Sequence, residues 1–327
     1  MNVYLGIDVG SVSTKLAVLD EHDRFLMSRY LRTLGQPIKV VQRGLKEIGE
    51  LLPAGVEVRG VGTTGSARYL AGVVVGADVV KNEITSHALA ALQYAPRVRT
   101  VVEIGGQDSK IILLRDGAVT DFGMNTVCAA GTGSFLDHQA LRLNVGIEEV
   151  GPRALQSRTP VRIGGRCTVF AESDMVHKQQ MGHSLEDILW GLCESLVRNY
   201  LNNVGLGRDI VPPVVFQGGV AYNKAIVQAL ADALDTEIIV PPHHEAMGAI
   251  GAALLAHEEM DAAAESRFKG FGISDAIYST STLECESCSS LCEIAQISLE
   301  GETLARWGGK CDLWERSSVP VGEGAVR

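Results

Sequence analysis

Two cysteines that each precede a predicted helix are the residues of this chain best suited to metal chemistry. Cys128 lies in Asn125-Thr-Val-Cys-Ala-Ala-Gly-Thr-Gly-Ser and Cys167 in Gly164-Gly-Arg-Cys-Thr-Val-Phe-Ala-Glu-Ser. A helix N-terminus presents unpaired N–H groups and a partial positive charge, so it favours a thiolate or a negatively charged metal cluster. A 4Fe-4S cluster needs four thiolates, which two chains could supply across a twofold axis. The pattern therefore predicts half a cluster site per subunit and a homodimer.

A second set of residues could bind nucleotide phosphates. Asp8-Val-Gly-Ser-Val-Ser-Thr-Lys combines a glycine turn, hydroxyl groups and a lysine, and Asp8 could hold Mg through water. Glu103-Ile-Gly-Gly-Gln-Asp offers an opposing set, and Gln217-Gly-Gly-Val would let a nucleoside lie flat. One such turn could be an ordinary hairpin, but three in this order favour a nucleotide site. The predicted contacts are Gly10, Ser11, Ser13, Thr14, Lys15, Glu103, Gly105, Gly106, Gly131, Thr132, Gly218, Gly219, Val220 and Gly248.

Asp8, Gln107 and Asp108 are the predicted catalytic residues. Asp108 could orient an attacking water and Gln107 could contact phosphate, but the sequence does not separate these roles from magnesium binding. The chain has no Gly-x-x-x-x-Gly-Lys-Ser/Thr run, which excludes a P-loop enzyme. Gly60-Val-Gly-Thr-Thr-Gly matches a dinucleotide-binding pattern only formally, because one half of that fold is visible at most. It predicts a structural turn or a domain-interface loop.

The remaining cysteines and two histidines have simpler interpretations or open ones. Cys193 falls in the spacing of an amphipathic helix and is predicted to be core. His243 and His244 follow two prolines, which favours a loop over a metal site. The tail carries a Cys-x-x-Cys-x-x-x-Cys…Cys set, which could be a zinc knuckle, a second iron-sulfur site or a redox pair. This tentative second metal site comprises Cys285, Cys288, Cys292 and Cys311.

The elements that must position these residues include a strand–turn–strand design that occurs twice. Residues 3–19 and 101–114 each contain an apolar strand, an acidic residue, a glycine turn, a hydroxyl, a lysine and a second strand. This internal repeat predicts two related domains that each open with a hairpin. The other predicted elements are helices at 38–52, 83–94, 185–204, 223–234 and 245–256, helices after both ligand cysteines, and strands at 56–61 and 214–220.

Composition limits the classes of protein to which the chain could belong. Its 327 residues are 46% hydrophobic, which is enough for two globular domains and an appendage. The net charge of −10 and the lack of a basic run argue against nucleic-acid binding. No secretory leader pattern and no apolar run of about 18 residues is present. We therefore expect a cytoplasmic protein whose seven cysteines are thiols or metal ligands rather than disulfides.

With these motifs and Asn82-Glu-Ile-Thr-Ser-His in order, the chain resembles the activator ATPases of 2-hydroxyacyl-CoA dehydratases. That group includes the ATPase subunits of benzoyl-CoA reductase, and the resemblance covers roughly residues 3–257. It implies an α/β fold of two ribonuclease-H-like domains of the actin/hexokinase (acetate and sugar kinase) type, with ATP in the cleft. We expect a first ATPase domain at 1–99 completed by a helix at 245–257, a second at 100–244, and a cysteine-containing extension at 258–327 that could begin a further domain.

The resemblance also implies cofactors and partners. ATP or ADP with Mg would occupy the turns, and one 4Fe-4S cluster would be ligated by Cys128 and Cys167 of each of two subunits. The family takes an electron from ferredoxin or flavodoxin and delivers it, with ATP hydrolysis, to a dehydratase or reductase that has its own iron-sulfur cluster. We hypothesise that the nucleotide sets the angle between the helices after Cys128 and Cys167. The tail departs from the short activators and resembles the region after the activator domain in longer activases, so the chain could be a fragment.

Two other functions fit parts of the sequence. A small-molecule kinase of the same fold would use the phosphate turns equally well, but it would leave the two cysteines unexplained. A nucleotide-gated interaction module of the actin type would bind ATP without redox change. Iron analysis of anaerobically prepared protein separates the activator from the kinase, and slow turnover that is blind to cluster oxidation would favour the interaction module.

Overall fold

The structure is a computed structural model, and its description covers residues 1–125, 129–165, 167–260 and 264–314. The chain divides into two compact units, which we call unit 1 (residues 1–90 and 248–327) and unit 2 (residues 91–247). Among the residues in these described ranges, no helix combines the length and apolar character that crossing a bilayer would require.

The helices and strands have the following bounds. The strands are β1 (Asn2–Val9), β2 (Ser13–Asp20), β3 (Phe25–Arg32), β4 (Glu57–Thr64), β5 (Val79–Val80), β6 (Thr100–Ile104), β7 (Ser109–Arg115), β8 (Ala118–Met124), β9 (Val214–Gln217), β10 (Ile238–Ile239), β11 (Tyr278–Glu284), β12 (Glu293–Leu299) and β13 (Glu302–Trp307). The α-helices are α1 (Pro37–Leu51), α2 (Arg68–Val75), α3 (Glu83–Tyr94), α4 (Gly133–Arg142), α5 (Ile147–Ala154), α6 (Thr168–Gln180), α7 (Leu185–Tyr200), α8 (Lys224–Leu234) and α9 (Met247–Glu259).

The two units contain sheets of the same topology, which confirms the predicted repeat. The strand order is β3-β2-β1-β4-β5 in unit 1 and, read in the matching direction, β8-β7-β6-β9-β10 in unit 2. In both sheets the first three strands pair antiparallel, and the last two join in parallel. The central strands β1 and β6 are buried along nearly their whole length.

Glycines in unit 1 let helix α9 lie directly on the sheet. A Cβ at Gly6 in β1 or at Gly62 in β4 would overlap a backbone carbonyl oxygen of α9. The prediction of a turn or interface loop at residues 60–65 is therefore wrong for its first part, since Gly60 and Gly62 lie inside β4. Only Gly65, with a φ of +89°, forms a turn. These glycines serve close packing, which a pattern of spacing alone cannot distinguish from a phosphate loop.

The tail forms a three-stranded antiparallel sheet that packs against the rest of unit 1. Ile297 of β12 and Ala305 of β13 are fully buried in the same apolar core as β1 and α1. Two further contacts attach the segment before the sheet: Gln42 donates to the carbonyl oxygens of Ile273 and Ala276 at 2.9 and 2.8 Å. Sequence periodicity did not predict these strands, because β11 is rich in Ser and Thr and mostly exposed, so it shows no apolar alternation.

Candidate nucleotide and metal sites

The first turn, residues 10–13, reverses the chain between β1 and β2. The Gly10 N–H donates to the Ser13 carbonyl oxygen at 3.0 Å. Beside it, Lys15 Nζ lies 3.2 Å from Asp8 Oδ2, and both side chains are largely buried. Ser11 is exposed at the tip of the turn, whereas Thr14 is fully buried and its hydroxyl lies 3.0 Å from that of Thr33. The tip is therefore the part of this turn that is open to a ligand.

Two residues distant in sequence complete the surroundings of Asp8. A Cβ at Gly248, in the first turn of α9, would lie 2.8 Å from Asp8 Oδ2 and 3.2 Å from His87 Nε2. The missing side chain at Gly248 thus leaves a small polar space next to a carboxylate and an imidazole. His87, on α3, was not predicted as a site residue, although it ends the Asn82-Glu-Ile-Thr-Ser-His motif. Because His87 lies near the predicted Mg ligand Asp8, it is a further candidate residue of the same site.

The second turn, residues 105–108, repeats the first between β6 and β7 of unit 2. The Gly105 N–H donates to the Asp108 carbonyl oxygen at 2.9 Å. Lys110 Nζ lies 3.0 Å from Glu103 Oε2, and these two side chains are 6% and 7% exposed. Gln107 is exposed and Asp108 partly exposed, so both predicted catalytic groups of this turn can meet a ligand.

Helix α4, which follows the segment of Cys128, is hydrogen-bonded to the second turn. Its first N–H groups, of Gly133 and Ser134, donate to the carbonyl oxygens of Gly105 and Gly106 at 2.9 and 2.8 Å. On the other side of Cys128, Asn125 Nδ2 donates to the Gln107 carbonyl oxygen at 3.1 Å. The chain therefore contacts the second turn both before and after Cys128.

Gly131 and Thr132, predicted nucleotide contacts, lie in the short turn ahead of α4. Gly131 is buried, and a Cβ there would lie 3.0 Å from the backbone N of Tyr200. Thr132 is fully buried, and its hydroxyl donates to the Ala129 carbonyl oxygen at 2.7 Å. Both residues therefore shape this turn, and their buried positions favour a structural role over contact with a nucleotide.

The third turn follows β9 and requires glycine. Gly218 has a φ of +96°, and a Cβ there would lie 2.9 Å from Glu103 Oε1, so this turn adjoins the second one. Its N–H donates to the His244 carbonyl oxygen at 2.8 Å, and His244 Nδ1 lies 3.0 Å from the Gly218 carbonyl oxygen. The exposed Tyr222 ring stands edge-on to His244 with centroids 4.3 Å apart. This pair was not predicted as part of the site, although His244 lies in the predicted loop.

Val220 and Gly219 of the same turn are placed differently. Val220 is 8% exposed and belongs to the unit 2 core, whereas Gly219 is partly exposed. Gly219 is therefore the better placed of the two to meet a nucleoside. The exposed Tyr222 ring offers an aromatic surface nearby.

Cys167 occupies the position that the sequence predicts for it. It is the N-cap residue of α6, with extended backbone (φ −141°, ψ 139°), and it is partly exposed. A thiolate at this place faces the unpaired N–H groups of the first helical turn, so its surroundings fit an anionic iron-sulfur cluster. Val169 and Phe170 in that first turn are 67% and 68% exposed. Cys128, the other predicted ligand, lies outside the described residues.

A carboxylate connects the helices that follow the two cysteines. Glu172 Oε1 of α6 lies 2.7 Å from Arg142 Nη1 of α4. Its other carboxylate oxygen, Oε2, lies 3.6 Å from His138 Nδ1, also on α4. Sequence analysis assigned no role to these residues, because their pairing depends on how two separate helices pack. The contact ties α6, which begins at Cys167, to α4.

The other cysteines do not gather into a metal site. Cys193 is fully buried in the unit 2 core, as predicted, and burial raises the pKa of its thiol to about 12. Across the described part of the chain, no three His, Cys, Asp or Glu side chains are arranged to hold a metal ion. Cys285, Cys288, Cys292 and Cys311 are among these described residues, so the tail cysteines are not brought together as four ligands in this structure.

Comparison with known proteins agrees with this architecture. The family model of the BadF/BadG/BcrA/BcrD ATPase family matches residues 5–256. The chain belongs to this family. Its relative from Acidaminococcus fermentans, the (R)-2-hydroxyglutaryl-CoA dehydratase activating ATPase, is 35% identical over 264 residues, which are 79% of this chain and 99% of the relative. The tail sheet lies beyond the residues that the family model matches.

Two solved structures are similar in fold. The activator of the 2-hydroxyisocaproyl-CoA dehydratase from Clostridium difficile, with bound ADPNP, superposes with a TM-score of 0.70 at 33% identity and covers 79% of this chain and 95% of that one. A ROK family glucokinase from Streptomyces griseus gives a TM-score of 0.50 at 13% identity over 78% of this chain and 99% of that one, which indicates the fold alone. The fold is thus mixed α/β with two sheet domains of the actin-like and hexokinase type, as expected.

Proposed function

We propose that this ATPase family member is an ATP-dependent activator that passes a low-potential electron from ferredoxin or flavodoxin to a 2-hydroxyacyl-CoA dehydratase or a related iron-sulfur reductase. It would act in the cytoplasm as a homodimer. Cys128 and Cys167 of each subunit would hold one 4Fe-4S cluster, whose chemistry is the storage and release of a single electron. The names of its relatives support the partner class, since the A. fermentans protein is a dehydratase activating ATPase.

The observation that carries this proposal is the hydrogen bonding between the second turn and α4. A nucleotide phosphate at the second turn would attract the N–H groups and the Lys110 side chain around it, and any displacement of Gly105 or Gly106 would act on Gly133 and Ser134 at the start of α4. A kinase has no need of such a connection, because its product depends only on where phosphate and acceptor lie. An activator needs it, because the nucleotide must act on the metal ligands.

Each group has a role that follows from its contacts. Asp8 would hold Mg, directly or through water, with His87 on the open side of the carboxylate. Gln107 and Asp108, exposed on the second turn, would position the attacking water and the γ-phosphate. Gly219 and Tyr222 would contact the nucleoside. Glu172 would transmit a movement of α4 to α6, since it binds Arg142.

Iron and sulfide analysis of the anaerobically purified protein tests the proposal. We expect about four irons per dimer and absorbance near 400 nm, together with MgATP hydrolysis that depends on Asp8. Cys167→Ser should lose the iron, and the matched variant Cys311→Ser, at an exposed cysteine far along the chain, should retain it. An iron-free dimer or monomer that phosphorylates a small molecule would establish the kinase instead. Iron that survives Cys128→Ser and Cys167→Ser would place the cluster elsewhere.

A further inference from the structure

The tail contains thiols that the proposed function does not use. Cys285 directly follows β11, Cys292 directly precedes β12, and Cys288 lies in the loop between them. The Cys285 N–H donates to the Cys292 carbonyl oxygen at 2.8 Å, one step beyond the strand pair Glu284 and Glu293. The two cysteines therefore face each other across an antiparallel hairpin.

Facing residues of an antiparallel pair lie close enough for a disulfide. The Cα atoms of a hydrogen-bonded antiparallel pair such as this one are about 5.5 Å apart, and a disulfide requires about 4.4–6.8 Å. Side chains of a facing pair also point to the same side of the sheet. The burial pattern agrees: Glu284 and Glu293 are exposed, whereas Cys285 is 3% exposed and Cys292 is partly buried. Both thiols thus lie on the inner side of the hairpin.

The surroundings favour a reactive thiol at Cys285. The Trp314 indole N–H, and then the backbone N–H and hydroxyl of Ser287, stabilise the thiolate of Cys285 and lower its pKa. The thiolate is the form that attacks a disulfide. Cys292 is partly exposed, so an external reagent can reach it. A metal would need a third ligand, and the described residues offer no such group here.

We propose that Cys285 and Cys292 are a reversible dithiol–disulfide pair that exchanges with a low-molecular-weight disulfide. The Cys292 thiolate attacks the external disulfide, forms a mixed disulfide and releases one thiol. The Cys285 thiolate then attacks the Cys292 sulfur, the Cys285–Cys292 bond forms, and the second external thiol leaves. Two electrons and two protons pass from the protein thiols to the two released thiols, so the exchange balances.

The disulfide would change how firmly the tail sheet is held against the rest of unit 1. It would close the loop between β11 and β12 and restrict the unfolded hairpin more than the folded one. β12 carries Ile297, which is buried in the unit 1 core. Oxidation should therefore hold the tail sheet in place, and reduction should let it open more often.

The test uses the full-length protein equilibrated with mixtures of oxidised and reduced glutathione, followed by N-ethylmaleimide to block free thiols. Cleavage after glutamate separates Cys285–Glu286 from Ser287–Glu293, so an intact disulfide joins two peptides. The variant Cys288→Ser leaves Cys292 as the single cysteine in the second peptide. In this variant we expect the joined peptide to rise with the glutathione disulfide ratio and to vanish with dithiothreitol. Cys311→Ser should form it like the unmodified protein, and Cys292→Ser should not.

Several results would overturn the assignment. One is a Cys288→Ser variant that gives only glutathione adducts or free thiols at every ratio. A second is a dominant Cys285–Cys288 bond in the unmodified protein, identified by fragmentation of the joined peptide. A third is stoichiometric zinc in the purified protein that shields all three thiols until a chelator removes it. None of these results depends on iron at Cys128 and Cys167, so the test is independent of the proposed function.

Discussion

The first and second turns have the same internal structure but different attachments. Each has an acidic residue two positions before its glycine and a buried lysine seven positions after that acidic residue, paired within 3.2 Å. The first turn is attached to its own sheet, since Thr33 at the end of β3 donates to the Gly10 carbonyl oxygen at 2.8 Å. The second turn is attached to α4, through the N–H groups of Gly133 and Ser134. The turn is thus present in both units, but only the copy in unit 2 is hydrogen-bonded to the helix that follows the predicted ligand Cys128.

This difference indicates which of the two turns could transmit a structural change from a bound nucleotide to another part of the chain. A turn whose carbonyl oxygens are bound by its own sheet has little freedom to move, because the sheet would move with it. A turn bound to the start of a separate helix can displace that helix. We infer that the first turn serves mainly to hold Mg and phosphate. The second turn would hold phosphate and transmit a movement caused by its binding to helix α4.

Substitution of the lysine in the Lys15–Asp8 and Lys110–Glu103 pairs tests whether the two turns are structurally equivalent. Its effect on the free energy of unfolding should be the largest of the effects predicted. Lys110→Met would leave the buried Glu103 carboxylate without its partner, and we expect a loss of about 3–5 kcal/mol in the free energy of unfolding. Lys15→Met should cost less, about 1–2 kcal/mol, because Lys15 is 17% exposed against 6% for Lys110. Urea unfolding followed by circular dichroism measures both. The double variant Glu103→Gln/Lys110→Met should recover part of the loss, and equal losses for the two lysines would contradict the comparison.

Substitution of the carboxylates separates the chemical roles of the two turns. If Asp8 holds the metal as proposed, Asp8→Asn should lower ATP hydrolysis about 100-fold and increase the Mg concentration needed for half-maximal rate. If Asp108 acts on the attacking water as proposed, Asp108→Asn should lower the rate about 100-fold without changing the Mg requirement. Steady-state ATPase assays across Mg concentrations distinguish them. The assignment of roles is wrong if the Mg dependence shifts in Asp108→Asn and not in Asp8→Asn.

Removal of a single hydroxyl from each attachment tests the coupling. Ser134→Ala removes the hydroxyl that donates to the Gly106 carbonyl oxygen and keeps the N–H that donates to the same oxygen, and Thr33→Val is its counterpart at Gly10. One hydrogen bond contributes about 1 kcal/mol, so we expect the nucleotide-dependent change in alkylation rate of Cys167 to fall about fivefold in Ser134→Ala. Thr33→Val should leave that change intact while weakening nucleotide binding. The measurement is the rate of Cys167 alkylation in cluster-free protein with and without a nonhydrolysable ATP analogue. An equal nucleotide-dependent change in this rate in the two variants would refute the coupling.

The outer hairpin turns also differ, and their test should show the smallest effect. In unit 1, burial raises the pKa of Asp20, but hydrogen bonds from the backbone and side chain of Arg24 and from the His22 N–H outweigh it and lower the value to about 2. In unit 2, an Asp116-Gly117 pair with φ of 52° and 78° makes the corresponding turn without such a carboxylate clamp.

A depressed carboxylate pKa stabilises the folded state above the unfolded value of about 3.9, and this contribution is lost as the pH falls to about 2. Asp20→Asn should therefore lower Tm at pH 6 and approach the Tm of the unmodified protein near pH 2. An Asp116→Asn control should show no such convergence. A constant difference in Tm from pH 6 to pH 2 would rule out the Asp20 carboxylate as its source.

Much of the framework could be predicted because it rests on local signals. Helix α3 has the predicted bounds, and α1, α8 and α9 begin and end within three residues of theirs. The position of Cys167 ahead of a helix was likewise predicted from its neighbours. Periodicity and turn residues determine these features, since they are properties of a few consecutive residues. Helix α2 was missed because its run of Val, Leu and Ala shows little amphipathic pattern, and such a run fits a strand as well.

The tail shows the opposite case. The sequence indicated its cysteines as possible metal ligands and did not predict its strands. Whether four cysteines gather around a metal depends on the fold of the chain between them, and here two of them face each other at the end of a hairpin instead. Spacing alone cannot decide between these outcomes, since both leave the same residues in the same order.

The sequence by itself therefore determined the units of the molecule: the repeated hairpin, the glycine turns, the main helices and a thiol at a helix start. Only the tertiary structure decided which of these units meet. Asp8 and His87 both lie beside Gly248, a residue without a side chain on a distant helix, and the second turn binds α4 through backbone groups that carry no sequence signature. Local conformation follows from neighbouring residues, whereas contacts across the fold follow from how whole elements pack, and that packing depends on all of the elements at once.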